Sequence, residues 1–245
     1  MVTLNIISMP LLAQISPAVE AQPVAKPIVL MMVLVILSLA PFLLMMTSSF
    51  VKISVVLGLV RSALGTQQIP PNQIVTGLAL ILTVYIMIPV GTDVYRSAEG
   101  VIRGADTNQP LLSTASVDVL KKAMDVGKEP LRAFLMKHSS PKDRNLFFGM
   151  AKQLRGKRED VKMEEKDFIV IIPAFIITEL SEAFQIGFIL FLPFLVIDMV
   201  VSNILLAMGM FMVSPVTVSL PFKLLLFVLV DGWYLITKGL ILGYV

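Results

Sequence analysis

The residues of this sequence that could carry out chemistry are few. The chain of 245 residues contains one histidine, His138, and no cysteine. Catalytic triads that use histidine and clustered His/Cys metal sites therefore lack their essential residues. No glycine-rich phosphate loop follows a strand either. We expect no enzymatic activity, no cofactor and no metal.

Two acidic residues in an apolar region are the strongest candidates for a chemically active site. Glu179 and Glu182 are three residues apart and share one face of a helix. Such a pair could bind a cation or relay protons. Pairing with basic groups on neighbouring helices is the simpler interpretation, and we favour it.

Charges within or beside hydrophobic runs are more informative. These charges are Lys52, Arg61, Asp198, Lys223 and Asp231. A charge at a lipid-facing helix centre costs about 2.5–3.5 kcal/mol on the insertion scale. Lys223 also follows Pro221 closely, which predicts a position near a helix N-terminus, where the helix dipole disfavours a cation. We therefore expect these charges to pair across helices or subunits.

A methionine-rich run is the most unusual segment. Met208, Met210 and Met212 alternate, and residues two apart diverge by about 200° around a helix, so they do not share a face. Gly209 and Pro215 weaken a helix here as well. The segment is either a loop that presents flexible thioethers, which adapt to dissimilar shapes, or part of a core. The residues alone leave both alternatives open.

The composition is that of a membrane protein. Hydrophobic residues make up 56% of the chain and charged residues 15%, against about a quarter charged in a typical soluble domain. Of the charges, 15 Lys or Arg and 12 Asp or Glu lie between Asp93 and Asp167. This pattern excludes an ordinary cytosolic enzyme, a disordered tail and a disulfide-rich secreted module, and the net charge of +3 is too small to predict nucleic-acid binding.

The N-terminal hydrophobic region, residues 27–92, is predicted to form a helical hairpin. Pro27–Val51 is uncharged and long enough to cross about 30 Å of hydrocarbon, and Ile74–Val90 is the second apolar part. The glycine and paired prolines within Gly65–Asn72 end a helix between them. Residues 1–26 contain a short apolar stretch but lack a basic region, so a signal peptide is only a weak possibility there.

The polar middle, residues 93–167, is predicted to form a small helical insertion. Ser116 is expected to cap one helix, which stops at Gly127. Ser140 followed by a proline opens a second helix, which Gly156 ends.

The C-terminal hydrophobic region, residues 168–245, is interrupted by prolines at Pro173, Pro193, Pro215 and Pro221. Ala183–Ile197 is too short for a comfortable membrane crossing, and Met199–Phe222 is broken by proline. Short, kinked pieces are typical of helices buried against other protein. The sequence as a whole predicts an all-α fold of membrane-associated hairpins with kinked, Pro-interrupted helices and a polar helical insertion.

Several segments closely resemble the SctR/FliP family, the export-gate subunits of bacterial type III secretion. The stretches that carry the resemblance are Met46–Phe50, Arg61–Asn72, Pro173–Phe175, Glu179–Leu180, Ala183–Phe188, Met208–Pro215 and Ser219–Trp233.

The resemblance implies a non-enzymatic subunit of a protein-export gate in the inner membrane. It implies a ring of about five copies with helical pseudo-symmetry, joined by a small two-helix subunit and a larger related subunit, and contacted by export-switch and major export-gate proteins. Unfolded secreted proteins would pass through its centre, and the polar middle would be periplasmic. The residues implied to seal the pore are Met208, Met210, Phe211 and Met212. Contacts between subunits would then involve Arg61, Glu179, Glu182, Asp198, Lys223 and Asp231.

Within the family, the sequence favours the injectisome branch over the flagellar branch. Asn203–Met208, Ser214–Thr217 and Glu129–Leu135 resemble injectisome members, whereas Thr66–Gln68 and Pro70–Gln73 look flagellar.

Two functions of other classes compete with an export gate. A proton-coupled secondary transporter would use Glu179, Glu182 and Asp198 as coupling carboxylates near broken helices. An intramembrane hydrolase is disfavoured by the missing cysteine and the single histidine.

Overall fold

The described part of the chain is helical. The computed structural model describes residues 25–66, 70–103, 114–155 and 164–245. Within these ranges there are eight helices and no strand, so the predicted all-α class is confirmed. The helices are α1 (Ala25–Met46), α2 (Phe50–Ala63), α3 (Asn72–Arg103), α4 (Thr114–Lys137), α5 (Pro141–Arg155), α6 (Phe168–Ala207), α7 (Pro215–Leu229) and α8 (Gly232–Leu242). The possible signal peptide lies outside the described residues.

The chain divides into two compact units, residues 1–42 and residues 43–245. In the first unit, the described residues belong to α1, and Met31, Leu37 and Phe42 are exposed. The second unit contains the end of α1 and helices α2–α8. The polar residues predicted to form contacts and the methionine-rich run lie in this second unit.

The predicted hairpin paired Pro27–Val51 with Ile74–Val90, whereas the two helices that pack against each other across the predicted break are α2 and α3. Gly65 adopts a φ of 74° after α2, a left-handed conformation that glycine tolerates without strain. The uncharged run Pro27–Val51, however, is not one helix, because α1 ends at Met46. The Thr47 and Ser48 hydroxyls donate hydrogen bonds to carbonyls in the last turn of α1, an alternative to helix continuation.

Helix α6 is longer than the sequence predicted. It has 40 residues and continues through Pro173, Pro193 and Asp198. The expectation of short, broken pieces is wrong here, because packing against neighbouring helices outweighs the local cost of a proline. Ala183–Ile197 is therefore the interior of one long helix. The predicted break within Met199–Phe222 is present, since α6 ends at Ala207 and α7 begins at Pro215.

Among the described residues, two helical stretches, Asn72–Val101 and Phe168–Ala207, are long and apolar enough to cross a membrane. Two bent helix pairs also pass this test, and the pair α7–α8 bends by 60°. These helices make the chain a membrane protein. Helix α3 runs through Asp93, so the boundary proposed between the apolar hairpin and the polar middle lies inside one helix.

The polar middle contributes α4, which packs on α3 and α6, and α5, which packs on α6. Gly127 does not end α4 as predicted. It lies against α3, where a Cβ atom would sit 3.6 Å from Val94 Cγ1. Ser116 lies inside α4 rather than at its cap. Helix α5 begins at Pro141 as predicted, and the Lys142 amide donates to Ser140 Oγ at 3.3 Å. Its predicted end at Gly156 lies outside the described residues.

Candidate functional site

Three features occur in order along α6 and its neighbours. The Lys52 cluster consists of Lys52, Glu179, Glu182 and Tyr244. The Lys223 cluster consists of Asp198, Ser219 and Lys223. The Met loop is the connection Met208–Ser214 between α6 and α7.

The Lys52 cluster joins α2 to α6. Lys52 Nζ lies 3.0 Å from Glu179 Oε1 and 2.6 Å from Glu182 Oε2. The Glu179 side chain is fully buried, whereas that of Glu182 is 49% exposed. The predicted pairing of this acidic couple with a basic group on a neighbouring helix is confirmed. A buried carboxylate is tolerated in such a place because an opposite charge compensates it.

Tyr244 completes this cluster from beyond the end of α8. Its hydroxyl donates a hydrogen bond to Glu179 Oε2, and its ring centroid lies 4.5 Å from Lys52 Nζ, a cation–π contact. The same ring packs against α4, with centroids 6.1 Å from Phe134 and 4.9 Å from His138. The cluster thus connects the polar middle to the apolar hairpins.

His138 is neutral in this environment. Burial, followed by the positive charges of Lys137 and Lys52, lowers its pKa from 6.5 to about 4. Its ring lies between Phe134 and Tyr244, so it packs with aromatic groups.

The Lys223 cluster joins α6 to α7. Lys223 Nζ lies 2.6 Å from Asp198 Oδ2, and Ser219 Oγ donates to Asp198 Oδ1 at 2.5 Å. The side chains of Lys223 and Asp198 are 3% and 29% exposed. The expected pairing of Lys223 across helices is confirmed.

The predicted helix-N-terminal position of Lys223 is wrong. Helix α7 begins at Pro215 and includes Pro221, so Lys223 is well inside it. Its ammonium instead approaches the end of α2, 3.4 Å from the Ala63 carbonyl oxygen. The dipole of α2 favours a cation at that end.

Two other predicted polar residues lie at helix ends. Arg61 donates a hydrogen bond to Asn72 Oδ1 and so bridges the α2–α3 turn. Asp231 has a φ of 52° and connects α7 to α8 at an exposed position. Contacts of these residues and of the clusters with other subunits stay a prediction.

The methionine-rich run was predicted to be either a loop or part of a core. It is a loop, and its side chains are not part of the core of a single chain. Gly209 has a φ of 72°, and the amides of Gly209 and Met210 donate to the carbonyls of Leu206 and Leu205, a Schellman ending of α6. Met208, Met210 and Phe211 are exposed, and Met212 is 99% exposed. Val213 is exposed as well, so five apolar side chains of this loop are not covered by other residues of the same chain.

Comparison with known proteins places the chain in a family. The model of the FliP family matches residues 33–240. The chain belongs to the FliP family. It is 47% identical over 217 residues to Yop proteins translocation protein R of Yersinia pestis, covering 88% of this chain and 95% of that protein. It is 40% identical over 215 residues to hypersensitivity response secretion protein HrcR of Ralstonia nicotianae, covering 88% and 96%. It is 42% identical over 225 residues to flagellar biosynthetic protein FliP of Bacillus subtilis, covering 92% and 95%.

In this member of the FliP family, sequence reasoning missed one residue of the Lys52 cluster. Tyr244 belongs to no charged pattern, and its partner Glu179 lies 65 residues earlier. A buried acid and a buried lysine in apolar sequence indicate that further polar partners are needed, but they do not identify them.

Proposed function

We propose that the chain is a core subunit of the inner-membrane export gate of a bacterial type III protein secretion system of the injectisome branch. The observation that carries this function is the 47% identity to Yop proteins translocation protein R over 95% of that protein. The flagellar branch is the second candidate, because FliP of Bacillus subtilis is 42% identical over a similar share of its length.

The assembled gate is a ring of about five copies with the small two-helix subunit and the larger related subunit, and it contacts the export-switch and major export-gate proteins. Apolar surface on α6 supports assembly, since Phe184, Phe188 and Ile189 are exposed in the single chain. Large exposed apolar surfaces mark contacts with lipid or protein. Helices α4 and α5 lie on the periplasmic side.

In the ring, the Met loops converge and close the path of unfolded secreted proteins. The exposed side chains of Met208, Met210, Phe211 and Met212 support this role. Thioethers adapt their shape, so one seal could close tightly and still admit different polypeptides.

Six polar residues take part in contacts between subunits: Arg61, Glu179, Glu182, Asp198, Lys223 and Asp231. Those that are exposed on a single chain make these contacts directly. Glu182 is half exposed and Asp231 is exposed, so both have capacity for such contacts. Glu179 and Lys223 are buried, so they support these contacts indirectly, by holding Lys52 and Asp198 in place.

The transporter alternative is not favoured. Its three coupling carboxylates all contact lysines in the described structure: Glu179 and Glu182 contact Lys52, and Asp198 contacts Lys223. These ion pairs compensate the carboxylates within one chain, which gives all three a structural role that requires no proton coupling.

Deletion of the gene in its own bacterium, with the chain supplied again on a plasmid, tests the function. We expect loss of type III protein secretion into the medium with unchanged swimming, and recovery of secretion by the plasmid. Loss of swimming with intact injectisome secretion would instead assign the flagellar branch. Secretion and swimming that are both unchanged would overturn the proposal.

Native mass spectrometry of the detergent-extracted complex should find several copies, and a monomer would contradict the ring.

A further inference from the structure

We propose that the Asp198–Lys223 ion pair positions the Met loop, as a clasp that sets the register of the two helices which carry it. The inference rests on the proposed sealing role of the loop. Asp198 lies ten residues before Met208, and Lys223 lies nine residues after Ser214. At about 1.5 Å per residue these distances along the helices are about 15 Å and about 14 Å. The pair therefore closes a hairpin with two arms of matched length.

The clasp is directional. Each carboxylate oxygen of Asp198 has its own donor: Oδ2 contacts Lys223 Nζ at 2.6 Å, and Oδ1 accepts from Ser219 Oγ at 2.5 Å. Ser219 and Lys223 are one turn apart on α7, so the two donors hold one carboxylate from the same face. A slide of α7 along α6 by one turn would leave at most one of the two donors within reach of the acid, so contact with both requires a single register.

A third contact fixes the hairpin against the rest of the chain. Lys223 Nζ also donates to the Ala63 carbonyl at the end of α2, at 3.4 Å. The α2–α3 turn lies directly beside it, since a Cβ atom on Gly65 would be 3.6 Å from Lys223 Nζ. The ammonium therefore connects the hairpin that carries the loop to the preceding hairpin.

The arms between the clasp and the loop pack incompletely, although Val201 and Leu205 are buried. They enclose an open apolar cavity of about 410 Å³. Its lining includes Val201, Ile204, Leu205, Val218 and Phe222. Apolar contact is non-directional and tolerates sliding, whereas an ion pair with two donors does not. The position of the loop thus depends on the polar contacts at the base of the arms.

Charge reversal in the complete export gate tests the clasp. The variants are Asp198→Lys, Lys223→Asp and the double exchange, with Lys238→Asp, which reverses an exposed lysine on α8, as the control. The readout is the resting ion conductance of the purified gate in planar bilayers. Each single reversal should raise the conductance at least about tenfold, because two like charges then face each other at a buried site, which costs more than the 1.4 kcal/mol that corresponds to tenfold. The double exchange should return it close to the wild-type value.

A cross-linking measurement decides the outcome if a reversal prevents assembly. Because the chain has no native cysteine, Asp198→Cys with Lys223→Cys can be bridged in the assembled gate by a short bismaleimide. The gate should leak before bridging and close after it. Equal conductance before and after bridging, or single reversals as tight as the control, would overturn the clasp.

Deletion of Met208–Met212 separates this inference from the proposed seal. If the deletion leaks while the clasp variants do not, the clasp fails and the seal stands. If the deletion does not leak, the sealing role itself fails.

Discussion

Tyr244 donates its hydroxyl hydrogen bond to Glu179, a fully buried carboxylate that also pairs with Lys52 at 3.0 Å. The acid therefore has a neutral donor from one side and a cation from the other. Because the Tyr244 ring also packs on Phe134 of α4, this contact joins the polar middle to the membrane-capable helix α6. Loss of this hydrogen bond should therefore destabilise the packing of the polar middle against α6.

Tyr244→Phe should destabilise the chain by about 1–3 kcal/mol, because a buried acceptor on Glu179 loses its donor while the ring remains. Thermal unfolding of the detergent-extracted complex measures this change. Tyr234→Phe is the control, since that tyrosine is exposed on α8. Equal melting temperatures for the two variants would contradict the role of the hydrogen bond.

Lys52→Met should cost about 3–5 kcal/mol, because Glu179 would be left buried without a cation. The double variant Lys52→Met with Glu179→Gln should recover much of this loss, since no buried charge is then unpaired. The free energy of unfolding in denaturant measures both. A double variant less stable than the single one would show that the pair itself supplies the stability.

Sequence predicts the requirement for such pairs better than their partners. The apolar surroundings of Lys223 predict an anionic partner or exposure to water, and the structure supplies the partner. Asp198 was not identifiable as that partner, because it lies 25 residues earlier on another helix. The long-range Tyr244–Glu179 contact was missed for the same reason.

Local rules also failed where packing outweighs propensity. Pro173 and Pro193 do not divide α6, and Gly127 does not end α4, because neighbouring helices stabilise both. The α2–α3 turn was predictable, since Gly65 and the paired prolines after it act through local backbone sterics. The methionine-rich loop was identifiable as unusual, but its exposure depends on tertiary structure.

Protonation of His138 should destabilise the chain below neutral pH. Its pKa is 6.5 in the unfolded chain and about 4 in the folded chain, so the unfolded state binds the proton more readily. Stability is therefore full above about pH 6.5 and falls as the pH drops toward 4. The charges that affect it most are Lys137, Lys52 and Glu182.

The measurement for His138 is the melting temperature between pH 7.5 and pH 5.5, a range chosen to avoid most carboxylate titration. The wild-type chain should lose more stability across it than His138→Asn, whose side chain does not titrate. Identical slopes for the two proteins would show that the imidazole does not contribute to the pH dependence.

Replacement of Met208, Met210, Phe211 and Met212 by glycine should make the assembled gate leak ions at rest, because the loop would lose the apolar side chains that fill the pore. Replacement of the three methionines by leucine is the matched control, since leucine keeps apolar volume but has less flexibility. The leucine variant should stay nearly tight to ions and export substrates more slowly. Resting conductance and secretion rate measure these two effects. A glycine variant as tight as the wild type, in a gate shown to be assembled, would mean that another segment closes the pore. A leucine variant that leaks as much as the glycine one would mean that thioether flexibility, rather than apolar volume, makes the seal.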